Sequence, residues 1–96
     1  MKDRPAGTLD VIGIDACKGF VPENTVLTFR ETDGIRGGLE VTDGVTVYGY
    51  LTGNCSLFVK ALVSAGEEVY CIKESEKTVD ASKVCTVKAY RKYKKI

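Results

Sequence analysis

Leu39-Glu40-Val41-Thr42-Asp43-Gly44-Val45-Thr46-Val47-Tyr48-Gly49-Tyr50-Leu51 is the stretch on which the fold turns. Apolar and polar residues alternate on both sides of Asp43-Gly44, a dipeptide that accepts the positive φ of a tight hairpin turn. Period-two alternation marks a strand with one face on a core and one in water. The stretch therefore reads as two antiparallel strands. In the second, Val45, Val47 and Leu51 share one face, and Thr46, Tyr48 and Tyr50 share the other.

The same signal recurs outward from this hairpin. Strands are expected over 9–16 (LDVIGIDA), 25–31 (TVLTFRE), 69–73 (VYCIK) and 84–90 (VCTVKAY). The mostly apolar run 57–63 (LFVKALV) is expected as a central strand. Asp33-Gly34, Gly37-Gly38, Gly53-Asn54 and Ala65-Gly66 fall between the runs, where turns are needed. The one helical candidate is a single turn over 78–83 (TVDASK). The expected fold is all-β: a small antiparallel β-sandwich or partly open barrel of five to seven short strands, with at most one helical turn. Residues 1–8 read as a flexible leader, 9–90 as a single β domain and 91–96 as a basic tail.

Composition narrows the function. The chain has 96 residues, room for one domain. Hydrophobic residues make up 44% and charged residues 28%, as in ordinary globular proteins. Lys plus Arg number 14 against 13 for Asp plus Glu, a net charge of +1, without the strong basic excess of a dedicated nucleic-acid binder. No apolar run is long enough to cross a membrane, and Met1-Lys2-Asp3-Arg4-Pro5 lacks the apolar stretch of a signal peptide. There is no His, which excludes imidazole-based triads and most zinc sites. The ten glycines build no phosphate-binding loop, so no cofactor is expected.

Cys17, Cys55, Cys71 and Cys85 form no C-x-x-C pair. Alternation points Cys55, Cys71 and Cys85 with their strands' apolar faces, as small buried hydrophobes. One or two disulfides among the four remain the other reading, since small secreted domains often need them. Disulfides would imply secretion; thiols would imply an intracellular or virion setting. Cys55 has no His to activate it and only Lys60 nearby, so a nucleophilic role is weakly supported. Asn54-Cys55-Ser56 matches the N-glycosylation sequon. The carboxylates form no recognisable acid/base pair, and Asp33 and Asp43 are explained by turn chemistry. No enzymatic activity is expected.

Charge is asymmetric only near the C-terminus. Lys83, Lys88, Arg91, Lys92, Lys94 and Lys95 follow one another without an acid, interleaved with Tyr90 and Tyr93. Tyr90, Arg91, Lys92, Tyr93, Lys94 and Lys95 are thus candidates for gripping a phosphate backbone or an acidic protein surface. The alternative is a solvated end whose lysines keep an edge strand from aggregating. Tyr48 and Tyr50 form a second candidate surface, with Tyr70 extending it if its strand lies beside 45–51.

Short strands with Cys17 and Cys55 bounding a 38-residue span resemble the small β-sandwich effectors secreted by plant-pathogenic fungi. The strand before Cys17 and the strand carrying Cys85 depart from that layout. The resemblance implies a disulfide-containing binder of a host protein. The reading favoured by the residues is a non-catalytic protein-interaction or structural assembly module, with a protein partner or homo-oligomer. The effector-like binder and nucleic-acid binding through the basic tail are the alternatives.

Overall fold

The computed structural model describes residues 2–31 and 38–93. Its elements are β1 (Arg4–Ile12), β2 (Thr28–Glu31), β3 (Leu39–Thr42), β4 (Val47–Leu51), α1 (Gly53–Ser64), β5 (Val69–Val79) and β6 (Ser82–Arg91). The expected turns at Asp33-Gly34 and Gly37 lie outside the described residues. The six strands form one antiparallel sheet in the order β2-β3-β4-β1-β6-β5. Its first and last strands meet through one bridge, in which Leu27 and Cys71 exchange both backbone hydrogen bonds at 2.9 and 2.8 Å. The mostly β architecture read from alternation is the one observed, as a partly open barrel.

The Asp43-Gly44 hairpin forms as expected. The Asp43 carboxylate accepts the Val45 and Thr46 N–H groups at 2.9 and 2.8 Å, and the Tyr48 hydroxyl at 3.0 Å. These donors hold the Asp43 pKa below its ordinary value, the Thr46 and Val45 amides contributing most. Val45 itself lies in the turn and is 91% exposed, and a register shift between Val41 and Thr42 interrupts the alternation of β4, so that Tyr48 rather than Val47 joins Leu51 in the core cluster.

Four expectations change. The run 57–63 is helical: α1 continues from Gly53 to Ser64, three turns where at most one was expected. A continuous apolar run carries no period to separate strand from helix, and the ends decide. Gly66 adopts φ +88° and donates to the Val63 carbonyl, and Glu67 donates to the Leu62 carbonyl. This is the paired closure of a glycine-terminated helix. Residues 78–83 are instead the tip of the long β5–β6 hairpin. Asp80 and Ala81 take φ +49° and +66°, the two-residue turn that matches strand twist. The leader is ordered too, because Arg4, Pro5, Gly7 and Thr8 pair with β6. Pro5 and Gly7 look like loop residues but flank a bulge, where a missing N–H and a positive φ are tolerated. Finally, the tail is tied down through residue 93. The Lys92 amide donates to the Glu68 carbonyl at 2.8 Å, and the Tyr93 amide donates to the Asp3 carboxylate at 2.7 Å.

Inward residues of all six strands meet Val59 of α1 and Ile14 and Val21 of the segment 13–27 in one core. The helix lies at the end of the barrel where β1 begins and β6 ends, and the segment 13–27 lies at the other. Helix attachment includes a polar contact: buried Ser56 Oγ accepts the Leu39 N–H at 3.2 Å. Gly49 marks the tightest packing, since a Cβ there would stand 2.6 Å from Val11 Cγ1 and 2.8 Å from the Ile12 carbonyl oxygen. Gly49→Ala should therefore cost about 2–3 kcal/mol in urea unfolding, because backbone must shift to admit one methyl. Ala81→Gly should act oppositely and stabilise by about 1 kcal/mol, relieving an L-residue held at positive φ.

Candidate functional site

Tyr70 and Ile72 of β5 and the even-numbered residues of the segment entering β2 point away from the core, because Leu27 and Cys71 point in. The Leu27–Cys71 bridge thus throws Val26, Thr28, Tyr70 and Ile72 onto the outer surface of the seam. Val63, Val69, Glu67 and Glu68 from the helix end add a wall, and Asp3 and Lys92 complete the rim. The resulting groove has a volume of about 670 Å³. Val26 and Val63 are each 57% exposed, so the groove presents apolar surface to water.

One wall is rigid. Tyr70 and Tyr90 stand opposite each other on β5 and β6, their rings stacked at 5.4 Å and 19°. Lys88 Nζ sits 5.8 Å from the centre of the Tyr90 ring. The Tyr70 hydroxyl donates to Asp3, which pushes the Tyr70 pKa up to about 12, with burial adding to it. The same bond, followed by that from the Tyr93 amide, holds the Asp3 carboxyl below its ordinary value. Asp3 therefore stays ionised, and its side chain joins the N-terminal strand to both strands of the groove wall. Lys92 lies 3.9 Å from Glu68, so three carboxylates and one ammonium border the groove.

The expected site residues are scattered by the fold. Lys92 belongs to the groove rim, Tyr90 stacks on the groove-lining Tyr70, and Tyr93 is fixed beside Asp3. Arg91 ends β6 with its Nε buried and unpaired. Lys83 lies at the far end of β6, its ammonium donating to the Gly19 carbonyl at 2.7 Å. Lys94 and Lys95 lie outside the described residues. Tyr70 does not extend the Tyr48–Tyr50 strip, because β4 and β5 are separated by β1 and β6. That strip is covered from within: the Phe20 ring meets Tyr48 at 5.9 Å, and the Tyr50 ring lies over Gly13. Tyr48 is only 9% exposed.

All four cysteines are free. Cys71 and Cys85 are fully buried as alternation required, with burial pushing their thiols up to about 12 and about 11. Cys71 stands opposite Ala89, four residues along β6 from Cys85. That offset is about 13 Å at strand rise, beyond the reach of a disulfide. Cys55 opens α1, and Ser56 of the glycosylation sequon is buried against Leu39. Among the described residues, no group of three His, Cys, Asp or Glu side chains could hold a metal ion.

No family model matches the chain, and no curated protein matches it in sequence. Its fold is shared. A crystal structure of a protein from Lactobacillus plantarum, a structural genomics target, superposes with a TM-score of 0.60. The match covers 93% of this chain and 97% of that one at 14% identity, a likeness of fold alone.

Two outcomes follow from the buried thiols and the Tyr70 phenol. Under native conditions an alkylating reagent should modify Cys17 and Cys55, and should reach Cys71 and Cys85 only after unfolding, as read by intact mass. All three raised groups keep their protons in the folded chain while the unfolded chain loses them. Their stabilisation is complete below the ordinary values of 9.0 for thiols and 10.0 for phenol, and is lost as pH rises through about 11 to 12. The thermal midpoint should accordingly hold from pH 6 to 8 and fall above about pH 9. An unchanged midpoint at pH 11 would contradict this assignment.

Proposed function

We propose that the protein is a non-catalytic interaction module whose groove takes an extended segment of a protein partner. The observation that carries this reading is the apolar lining of the groove beside the seam, half-buried Ile72 flanked by Val26 and Val63, which are each 57% exposed. Exposed apolar surface of this kind, rimmed by charge, is typical of recognition sites. The rim supplies selectivity: Asp3, Glu67 and Glu68 outweigh Lys92, which favours a segment carrying Lys or Arg beside its apolar side chains.

Nucleic-acid binding receives less support from the same surface. Tyr90 is stacked on Tyr70, with Lys88 also drawn to its ring, which leaves little open aromatic face for a base. Lys83 and Lys92 sit nine residues apart along one strand, about 30 Å, and carboxylates border the nearer one.

Binding of an extended pentapeptide library by the purified chain tests this reading. Apolar sequences with Lys or Arg should be enriched over their Glu counterparts by about tenfold, a difference of ~1.4 kcal/mol. Ile72→Glu should abolish the selection while leaving the circular dichroism spectrum unchanged. Selection of acidic sequences, or binding indifferent to Ile72→Glu, would reject it.

A further inference from the structure

The ladder that closes the barrel stops after one step. Leu27 and Cys71 exchange both backbone hydrogen bonds, so the next bonded pair of an antiparallel ladder would be Phe29 and Val69. That pair is not formed, and β2 pairs only with β3 over 28–31. Parity decides which backbone groups are left over. Leu27 aims its N–H and C=O at β5, and Thr28 and Arg30 aim theirs at β3. Phe29 and Glu31 therefore aim theirs at the gap. Among the described residues, no backbone group of another strand meets them there.

Hollows lie on both faces of this edge. On the outer face is the groove, with Val26, Thr28 and Ile72 in its lining. On the inner face, between β2 and α1, a second hollow of about 270 Å³ is lined by Phe29, Leu39, Val59 and Lys60. Val63 of α1 lines both, so the two hollows meet at its side chain.

An unpaired edge is a template for one kind of occupant, an extended chain bonded main chain to main chain. Such a strand sends alternate side chains to opposite faces, and here each face offers a hollow to receive them. We infer that a partner segment docks as an added strand on β2 at Phe29 and Glu31, with apolar residues toward the inner hollow alternating with Lys or Arg toward the groove. The inference rests on the groove reading above and adds to it the backbone pairing and the second set of side chains. Charge assigns the faces. Asp3, Glu67 and Glu68 outweigh Lys92 around the groove, so a basic side chain can lay its stem over Val26 and Ile72 and reach an acid with its head. In the inner hollow Glu31 and Lys60 balance, and Phe29, Leu39, Val59 and Val63 leave it suited to Val or Ile.

The probe is the capped pentapeptide Val-Lys-Val-Lys-Val, titrated calorimetrically into the full chain. Only alternate amides of a paired strand face β2. N-methylation of one alternate set should therefore weaken binding at least about tenfold, and of the other set less than about threefold. Glu31→Pro removes the edge N–H and leaves the ladder to β3 intact. It should weaken binding at least about tenfold with the circular dichroism spectrum retained, whereas Glu31→Ala, which keeps the N–H, should bind like the parent. Equal effects of N-methylation in both sets would overturn the pairing. So would a Glu31→Pro chain that binds like the parent, a loss through Glu31→Ala as large as through Glu31→Pro, or a probe that fails to bind up to millimolar concentration. The groove reading answers separately, to the library selection and its loss through Ile72→Glu, so the two failures are told apart.

Discussion

Two hydrogen bonds between Leu27 and Cys71 join the ends of a six-stranded sheet, and most of what is distinctive in this molecule follows from that bridge. Each such bond contributes about 1 kcal/mol net, too little to hold a barrel by itself. The side chains of the same two residues are fully buried, so the seam is held chiefly by apolar packing and located by the hydrogen bonds. Strand alternation then has a consequence on the other surface. If Leu27 and Cys71 point inward, Val26, Thr28, Tyr70 and Ile72 must point outward, and the groove is the external image of the closure. The features could not be varied independently: a one-residue slip of β5 against β2 would bury Ile72 and expose Cys71.

The groove also explains why the first residues of the chain are ordered. A strand starting with Arg4 has few apolar side chains to bury before Leu9. Asp3 compensates by accepting hydrogen bonds from Tyr70 and from the Tyr93 amide, which brings β1, β5 and the end of β6 to one carboxylate. Such charge-assisted bonds are stronger than neutral ones. The bulge between Pro5 and Gly7 lets this happen without carrying the register error into the core, where Leu9 and Val11 pair regularly.

Much of the β architecture was legible because strands covered on one face write their burial as alternation. Cys71, Cys85 and Val87 were readable as core residues for that reason, and the Asp43-Gly44 hairpin because its turn chemistry is local. The errors share a cause. The run 57–63 has no period, and the signal that ends its helix is one glycine, which serves a strand turn equally well. Pro5 and Gly7 signalled a loop because a bulge uses the same residues. The groove escaped detection because it joins residue 26 to residues 63 and 72. Parity places Val26 and Ile72 on outward faces, but only strand order makes them neighbours, and strand order is fixed by long-range packing. Simple alternation set Tyr48 beside Tyr50 opposite the core, but the register shift in β4 and the segment 13–27 folding back bring Tyr48 into the core cluster, which no local pattern encodes.

The helix closes the argument about why two surfaces are left apolar. A helix between β4 and β5 must cover the end of the barrel, and it does so with fully buried Val59, partly buried Cys55 packed beside it and a Ser56–Leu39 hydrogen bond. Twelve residues lose their conformational freedom for that contact, at roughly 1–2 kcal/mol each. Short isolated helices are marginal in water, and tertiary packing supplies most of their stability. Here the inner face supplies little, while Val63 overhangs the groove and Leu57 and Phe58 face outward. The segment proposed to bind against Val63 would add apolar contact to the same twelve residues.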